Sequence, residues 1–417
     1  MANVVVGQSG GPSSVINNSL AGVYKRAKIL GADKVYGMRY GIQGFLEERL
    51  VDLDEYLKDD RSFNLLRTTP SSFLGSCRYK LPDFEIDDRV YKRIFQILAK
   101  YQIEAFIYIG GNDSMDTIRK LADYGQKTGS SVTFVGAPKT IDDDLMETDH
   151  TPGYGSAAKY IATTTKEVIR DMVVYEHKPS VFVMEVMGRN AGWLTGAAAL
   201  CRSEDCEGPD LIYLPELTFD IDKFVAKIKK LLEKKDVVVA VVSEGIKTAD
   251  GHYVCEKSAG SETTDAFGHI QMTGTASYLA SVVHKELGCK TRAVELSTLQ
   301  RAAAHLASKI DVDEAFNVGG ACVKAADEGR TGVMVVIVRV SDDPYQSTTD
   351  VNDVHRIAND EKIVPREWIN KTGDYVTEEF LDYVRPLIQG QYTPMMVEGL
   401  PRHLTMNQKN YDWASHK

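Results

Sequence analysis

Short apolar runs rich in β-branched residues recur along the chain, and several of them end at a glycine. Runs of roughly four to eight such residues, bounded by turn residues, are typical of buried β-strands. The pattern therefore predicts strands at residues 4–7, 105–110, 132–136, 181–186, 237–242 and 333–340.

Between these runs, apolar residues recur at helical spacing. The predicted helices span residues 15–30, 89–100, 114–128, 155–174, 220–234 and 274–287. The repeated order of strand, glycine turn and helix predicts an α/β fold with mainly parallel sheets and helices on both faces. Because such folds bind ligands at the carboxyl ends of their strands, the loops after the strands are where functional residues are expected.

The chain has no visible linker: no spacer rich in proline, glycine and serine divides its 417 residues, and no tandem repeat is visible. Its length favours two to three domains of about 150 residues. Two interleaved domains would lack such a spacer, because the chain would cross between them more than once.

Composition narrows the class of protein. The chain is 43% hydrophobic and 26% charged, which is typical of a globular protein rather than a disordered one. Its net charge of −10, without a block of lysine and arginine, argues against nucleic-acid and membrane-surface partners. The chain shows neither a signal-peptide pattern nor a run of about 20 apolar residues. Its six scattered cysteines favour reduced thiols over disulfides or a zinc site, and we expect a cytoplasmic protein.

Three loops that follow predicted strands carry the candidate chemistry. The first, at residues 7–14, has glycines that let backbone N–H groups approach a phosphate, although a plain tight turn explains it equally well. The second, Gly110-Gly111-Asn112-Asp113-Ser114, could bind a phosphate or a hydrated metal ion, although taken alone it fits an ordinary helix cap better. The third runs from Pro138 to Asp144 and ends in three adjacent aspartates, which suit Mg²⁺ binding or proton abstraction better than a solvated acidic turn.

Several other charged residues lie beside glycines or at strand ends, where they are candidates for binding an anionic substrate. They are Arg78, Arg189, Glu244, Arg292 and Arg301. The nine histidines form neither a triad nor an HExxH pair, so no catalytic histidine is assigned.

Taken together, these segments resemble the phosphofructokinase family. They occur in the family's order from residue 9 to residue 301. The matching segments are residues 9–11, 73–78, 109–114, 138–144, 185–189, 243–245, 291–292 and 300–301. The resemblance implies two Rossmann-like α/β domains with the active site in the cleft between them. Residues 1–153 with about 300–355 would bind the phosphoryl donor, and about 154–299 with 356–417 would bind the sugar phosphate.

Within the family, the chain is most similar to the diphosphate-dependent branch. Asp113 and Lys139 stand where ATP-dependent members usually carry glycine. The Asp113 carboxylate would occupy the space of the ATP α-phosphate and nucleoside and would repel the phosphate charge. The Lys139 ammonium would hold diphosphate. The resemblance implies reversible phosphoryl transfer from diphosphate to the 1-hydroxyl of fructose 6-phosphate. The alternatives are an ATP-dependent 6-phosphofructokinase and a non-catalytic regulatory homologue that binds sugar phosphate.

The family's motifs also imply roles for individual residues. Asp142 would be the general base, Lys139 and Thr140 would contact the transferred phosphoryl group, and Asn112 and Asp144 would hold or orient Mg²⁺. Asp113 is also implied to be a catalytic residue. The residues implied to bind diphosphate are Gly10, Gly11, Arg78 and Ser114. Those implied to bind the sugar phosphate are Thr140, Asp142, Met187, Gly188, Arg189, Glu244, Arg292, Thr298 and Arg301. Arg292 would come from a neighbouring subunit, which implies a homo-oligomer, either a dimer or a tetramer.

The chain departs from the family's pattern at three places. Asn112 replaces the usual metal-site aspartate, Thr298 replaces a histidine or tyrosine, and Ser180 replaces an arginine, for which Lys178 is a partial substitute. Residues 302–417 carry little readable chemistry, and we expect a helix-rich tail that packs on the core.

Overall fold

The computed structural model describes residues 2–174, 178–257, 273–357 and 360–406. The strands are β1 (Asn3–Gln8), β2 (Lys34–Met38), β3 (Leu50–Asp52), β4 (Ile103–Gly110), β5 (Thr133–Pro138), β6 (Ser180–Val186), β7 (Leu211–Tyr213), β8 (Val237–Ser243), β9 (Lys290–Glu295), β10 (Val333–Asp342), β11 (Tyr345–Asp353), β12 (Met396–Val397) and β13 (Leu400–Pro401). The α-helices are α1 (Ile16–Ile29), α2 (Gly41–Leu46), α3 (Asp60–Thr68), α4 (Arg89–Lys100), α5 (Asn112–Thr128), α6 (Tyr154–Met172), α7 (Trp193–Gly196), α8 (Ile221–Leu232), α9 (Thr275–Leu287), α10 (Leu299–Ala302), α11 (Lys309–Asp327) and α12 (Glu378–Val384).

The larger sheet has the strand order β11-β10-β5-β4-β1-β2-β3. Its central strands are parallel, and β11 and β3 at the two edges are antiparallel to their neighbours. Successive residues of β1 point to opposite faces, so Val4 and Val6 pack with α1 and α11 while Val5 packs with α4 and α5. Every residue of β1 is buried because helices cover both faces.

The smaller sheet has the order β7-β8-β6-β9, and all its strands are parallel. Phe182 and Met184 of β6 pack on one face with α6 and α7, and Val181 and Val183 pack on the other with α8 and α9. The chain crosses between the two sheets several times. It reaches the smaller sheet through α6 and returns with α11, which packs on α1, and Phe380 of α12 then lies in the core of the smaller sheet.

The predicted α/β architecture is confirmed, and the predicted strands and helices all match observed ones within a few residues. The helix-rich tail predicted for residues 302–417 is wrong in part, because the long antiparallel pair β10–β11 lies between α11 and α12. No helix in the described ranges has the length and apolar character that a membrane span requires.

Candidate active site

A cavity of about 480 Å³ lies where the carboxyl ends of β1, β4 and β5 face those of β6 and β8. All three candidate loops open into it, because the carboxyl ends of parallel strands share one edge of a sheet. The predicted site residues that line it are Gly10, Gly11, Arg78, Asn112, Asp113, Ser114, Lys139, Thr140, Asp142, Asp144, Met187, Arg189, Glu244 and Arg301.

The glycine loop after β1 lets two cationic side chains approach the backbone. Gly10 has a φ of +74°, and Lys139 Nζ donates to the Gly11 carbonyl oxygen at 2.6 Å. A Cβ at Gly11 would lie 2.9 Å from Arg301 Nη1. Larger residues at these positions would therefore displace the cations, and the loop forms one positively charged wall of the cavity.

Lys139 is the most buried cation in this wall, with 3% of its surface exposed. Burial lowers its pKa to about 8, an effect that the nearby Asp142 carboxylate opposes and the Arg301 guanidinium reinforces. An ammonium in such a water-poor place stabilises anionic phosphate more strongly than one at the surface.

Thr140 and Asp142 of the acidic loop are joined by hydrogen bonds. The Asp142 N–H donates to Thr140 Oγ1 at 3.1 Å, and the same hydroxyl donates to Asp142 Oδ2 at 3.5 Å. Burial raises the pKa of Asp142, while Lys139 and Arg301 counteract that rise. A carboxylate whose proton affinity is raised in this way suits a general base.

Of the three consecutive aspartates, the middle one points away from the cavity that the other two line. Asp142 and Asp144 line the cavity, whereas the Asp143 side chain is fully buried and accepts the Thr151 N–H at 2.9 Å. Asp143 has a φ of +57°, which reverses the chain between its two neighbours. The loop thus takes the middle carboxylate out of the cavity, while Asp142 and Asp144 stay close enough for the charge of Asp142 to raise the pKa of Asp144.

Asn112 and Asp144 offer oxygen atoms for a divalent metal ion. The Asn112 side-chain oxygen is buried and has no hydrogen-bond partner. Burial, reinforced by the charges of Asp142 and Glu361, raises the pKa of Asp144 to about 7. Within the described residues, no group of three or more His, Cys, Asp or Glu side chains is placed to hold a metal. Asn112 and Asp144 alone fit Mg²⁺, because this ion keeps several water ligands and takes others from phosphate oxygens.

The opposite wall is built by two glycine-containing turns at the ends of β6 and β8. A Cβ at Gly245 would lie 1.8 Å from the Arg189 carbonyl oxygen, so the two turns pack backbone to backbone. Gly188 does not line the cavity itself, but its N–H lies 3.4 Å from Glu244 Oε1 and its carbonyl oxygen accepts the Ser243 hydroxyl. Burial raises the pKa of Glu244 to about 8.

Arg301 reaches the cavity from α10 and lies between the two walls. Its Nε is buried without a hydrogen-bond partner, so the guanidinium keeps binding capacity for an anion.

The phosphofructokinase family model matches residues 3–325. The chain belongs to the phosphofructokinase family. It is 41% identical to the pyrophosphate–fructose 6-phosphate 1-phosphotransferase of Halomonas elongata, over 96% of this chain and 95% of that one. It is 40% identical to the enzyme of the same name from Xanthomonas campestris, over 97% and 96%. The crystal structure of a pyrophosphate-dependent phosphofructokinase from Nitrosospira multiformis superimposes with a TM-score of 0.86 at 38% identity, covering 96% and 95%.

Besides Gly188, two predicted site residues of this phosphofructokinase-family chain lie outside the cavity. Arg292 is on the edge strand β9, with 47% of its side chain exposed, and its Nη1 lies 3.8 Å from Asp171 Oδ2. Thr298 is exposed at the start of α10. Ser180, by contrast, is buried at the start of β6.

Sequence reasoning missed several polar residues that line the cavity, among them Lys80, Asn190 and Glu361. Lys80 Nζ lies 3.2 Å from Asp113 Oδ1, and both side chains are largely exposed. Asn190 Nδ2 donates to Glu361 Oε1 at 2.9 Å. Lys80 and Asn190 lie next to segments that match the family's motifs, so sequence analysis could have identified them. No sequence pattern pointed to Glu361, because it lies in the carboxyl-terminal segment, far along the chain from the motifs.

Proposed function

We propose that the protein is a diphosphate:fructose 6-phosphate 1-phosphotransferase that reversibly forms fructose 1,6-bisphosphate. The observation that carries this function is the buried Lys139 ammonium beside Gly10 and Gly11, at the position where ATP-dependent relatives usually have glycine. The names of the similar enzymes from Halomonas elongata and Xanthomonas campestris support the same donor and acceptor.

The reacting groups would meet at the acidic loop. Asp142 accepts the proton of the 1-hydroxyl, and this oxygen attacks the terminal phosphorus of diphosphate while the bond to the bridging oxygen breaks. Lys139 and Thr140 hold the transferred phosphoryl group, and orthophosphate leaves. Asn112 and Asp144 would hold Mg²⁺, which neutralises phosphate charge when bound.

The two walls of the cavity would divide the substrates between them. Gly10, Gly11, Arg78 and Ser114 bind diphosphate. The residues that bind fructose 6-phosphate are Met187, Arg189, Glu244 and Arg301 in the cavity, with Gly188 and Thr298 outside its lining. Residues 1–153 with about 300–355 would form the donor domain, and about 154–299 with 356–417 the sugar domain, so that Arg301 reaches the sugar from the donor domain.

A second subunit would complete the sugar site. Arg292 is exposed and lies outside the cavity of its own chain, which suits a residue that acts across an interface. We therefore infer a homo-oligomer. All six cysteines are reduced thiols, which supports a cytoplasmic location.

Asp113 would act together with Lys80. Their ion pair at 3.2 Å stands at the donor end of the cavity and occupies space that a nucleotide would need. Because Lys80 offsets the Asp113 charge, exclusion of ATP rests more on occupied space than on repulsion.

A donor screen with the purified protein tests the function. Fructose 6-phosphate is supplied with diphosphate or ATP, each with and without Mg²⁺, and fructose 1,6-bisphosphate is measured. We expect turnover with diphosphate and Mg²⁺ only. Turnover with ATP and none with diphosphate would overturn the proposal, and no turnover with either donor would favour the regulatory homologue.

A further inference from the structure

The segment that begins at Asp360 lies directly against the acidic loop. The Lys362 N–H donates to the Asp144 carbonyl oxygen at 2.8 Å, and the Lys362 carbonyl oxygen accepts the Trp193 indole N–H at 2.9 Å. The backbone at this residue is therefore held between the acidic loop and α7.

The Lys362 side chain runs beneath the loop rather than into solvent, with 21% of it exposed. Its Nζ lies 3.2 Å from Asp143 Oδ2, donates to the Asp149 carbonyl oxygen at 2.6 Å and stands 5.1 Å from the centre of the Trp193 ring. These contacts fix the ammonium in one position.

Asp143 needs this counter-charge, because its carboxylate is fully buried. The same carboxylate accepts the Thr151 N–H at 2.9 Å and the Tyr383 hydroxyl at 2.5 Å. Since Asp143 is the residue that reverses the chain between Asp142 and Asp144, its anchoring determines where those two carboxylates point.

We propose that Lys362 is a positioning residue for phosphoryl transfer. By pairing with Asp143, its ammonium holds the acidic loop so that Asp142 faces the attacking hydroxyl and Asp144 faces the metal site. This inference rests on the proposed function and adds to it a residue from the carboxyl-terminal segment.

The variant Lys362→Met separates this role from substrate binding. We expect kcat with diphosphate to fall on the order of 100-fold, because a small misplacement of reacting groups has that effect. The KM values for both substrates should change less than about threefold, since Arg78 and Arg189 lie outside the acidic loop. Lys371→Met, an exposed lysine of the same segment, should keep the parent's kcat.

The double variant Asp143→Asn/Lys362→Met removes both buried charges. Because no unpaired charge is left, we expect it to fold and to recover kcat to within about tenfold of the parent. This comparison decides the inference even where Lys362→Met does not fold.

The outcomes separate the two proposals. A parent that turns over diphosphate while Lys362→Met keeps its kcat overturns the inference alone. A double variant that folds with a kcat more than about tenfold below that of the parent also overturns the inference alone. A parent without diphosphate turnover overturns the proposed function, and the positioning role with it.

Discussion

Individual side chains in this site are tuned by burial. Asp142 keeps a raised proton affinity because it is surrounded by protein, although Lys139 and Arg301 oppose that effect. Replacing Asp142 with Asn keeps its size and removes its basicity. We expect kcat to fall by about 10²–10⁴ with little change in the KM for fructose 6-phosphate. The unfolding midpoint should not fall, because the buried charge is unfavourable in the folded state. Steady-state kinetics measures kcat and KM, and thermal unfolding measures the midpoint. A kcat within tenfold of the parent would show that Asp142 is not the general base.

Donor choice also belongs to the residue scale. Asp113→Gly removes a carboxylate from the donor end of the cavity and breaks its ion pair with Lys80. We expect the ratio of kcat/KM for diphosphate to that for ATP to fall, because the space for a nucleotide opens. The KM for fructose 6-phosphate serves as the internal control and should stay unchanged. An unaltered donor ratio would count against the role of Asp113.

At the scale of elements, the strands β1, β4, β5, β6 and β8 at the site were predictable from the sequence, because buried parallel strands are continuous apolar runs. Several other elements were not, among them α10, which carries Arg301, and also β9 and α11. The edge strand β9 has the polar sequence Lys-Thr-Arg-Ala-Val-Glu, and α11 mixes buried Asp311 and Glu314 with glycines. Asp311 accepts the Gly153 and Ser156 N–H groups, so tertiary contacts at the start of α6 explain its burial.

The close crossing of α1 and α11 explains the glycines in α11. A Cβ at Gly319 would lie 2.0 Å from the Ser19 carbonyl oxygen, whereas one at Gly320 has its nearest neighbour at 3.8 Å. We expect Gly319→Ala to lower the free energy of unfolding by about 1–3 kcal/mol. The matched control Gly320→Ala should be neutral or stabilising by up to about 1 kcal/mol, because alanine favours a helix. Urea unfolding measures both, and equal effects would contradict the crossing geometry.

Across the whole molecule, a buried ionic network joins the acidic loop to α11 and the β10–β11 pair. His150 lies between the Asp149 and Glu314 carboxylates, at 2.7 and 2.6 Å. Burial alone would lower its pKa, but these carboxylates raise it to about 10. The folded-state pKa thus exceeds the ordinary value, so the stabilisation is complete below about pH 6.5 and is lost as the pH rises through 10.

His150→Gln tests this network. We expect it to lower the free energy of unfolding by about 3–5 kcal/mol at pH 6, because the buried Glu314 carboxylate loses its counter-charge, while Asp149 keeps Arg339. The difference from the parent should shrink as the pH approaches 10. Chemical unfolding between pH 6 and pH 10 provides the measurement, and a difference that does not change with pH would show that His150 is neutral in the folded protein.

The assembled site also contains residues that could not be predicted from the sequence. The loops and their motifs were readable, but Glu361 and Lys362 join the site only through the path of the chain between the two sheets.

The reverse reaction tests the central claim most directly. The purified protein is given fructose 1,6-bisphosphate, orthophosphate and Mg²⁺, and diphosphate is followed by phosphorus NMR. The account predicts that diphosphate and fructose 6-phosphate form in equal amounts. Formation of ATP from added ADP, with no diphosphate formed from orthophosphate, would contradict it.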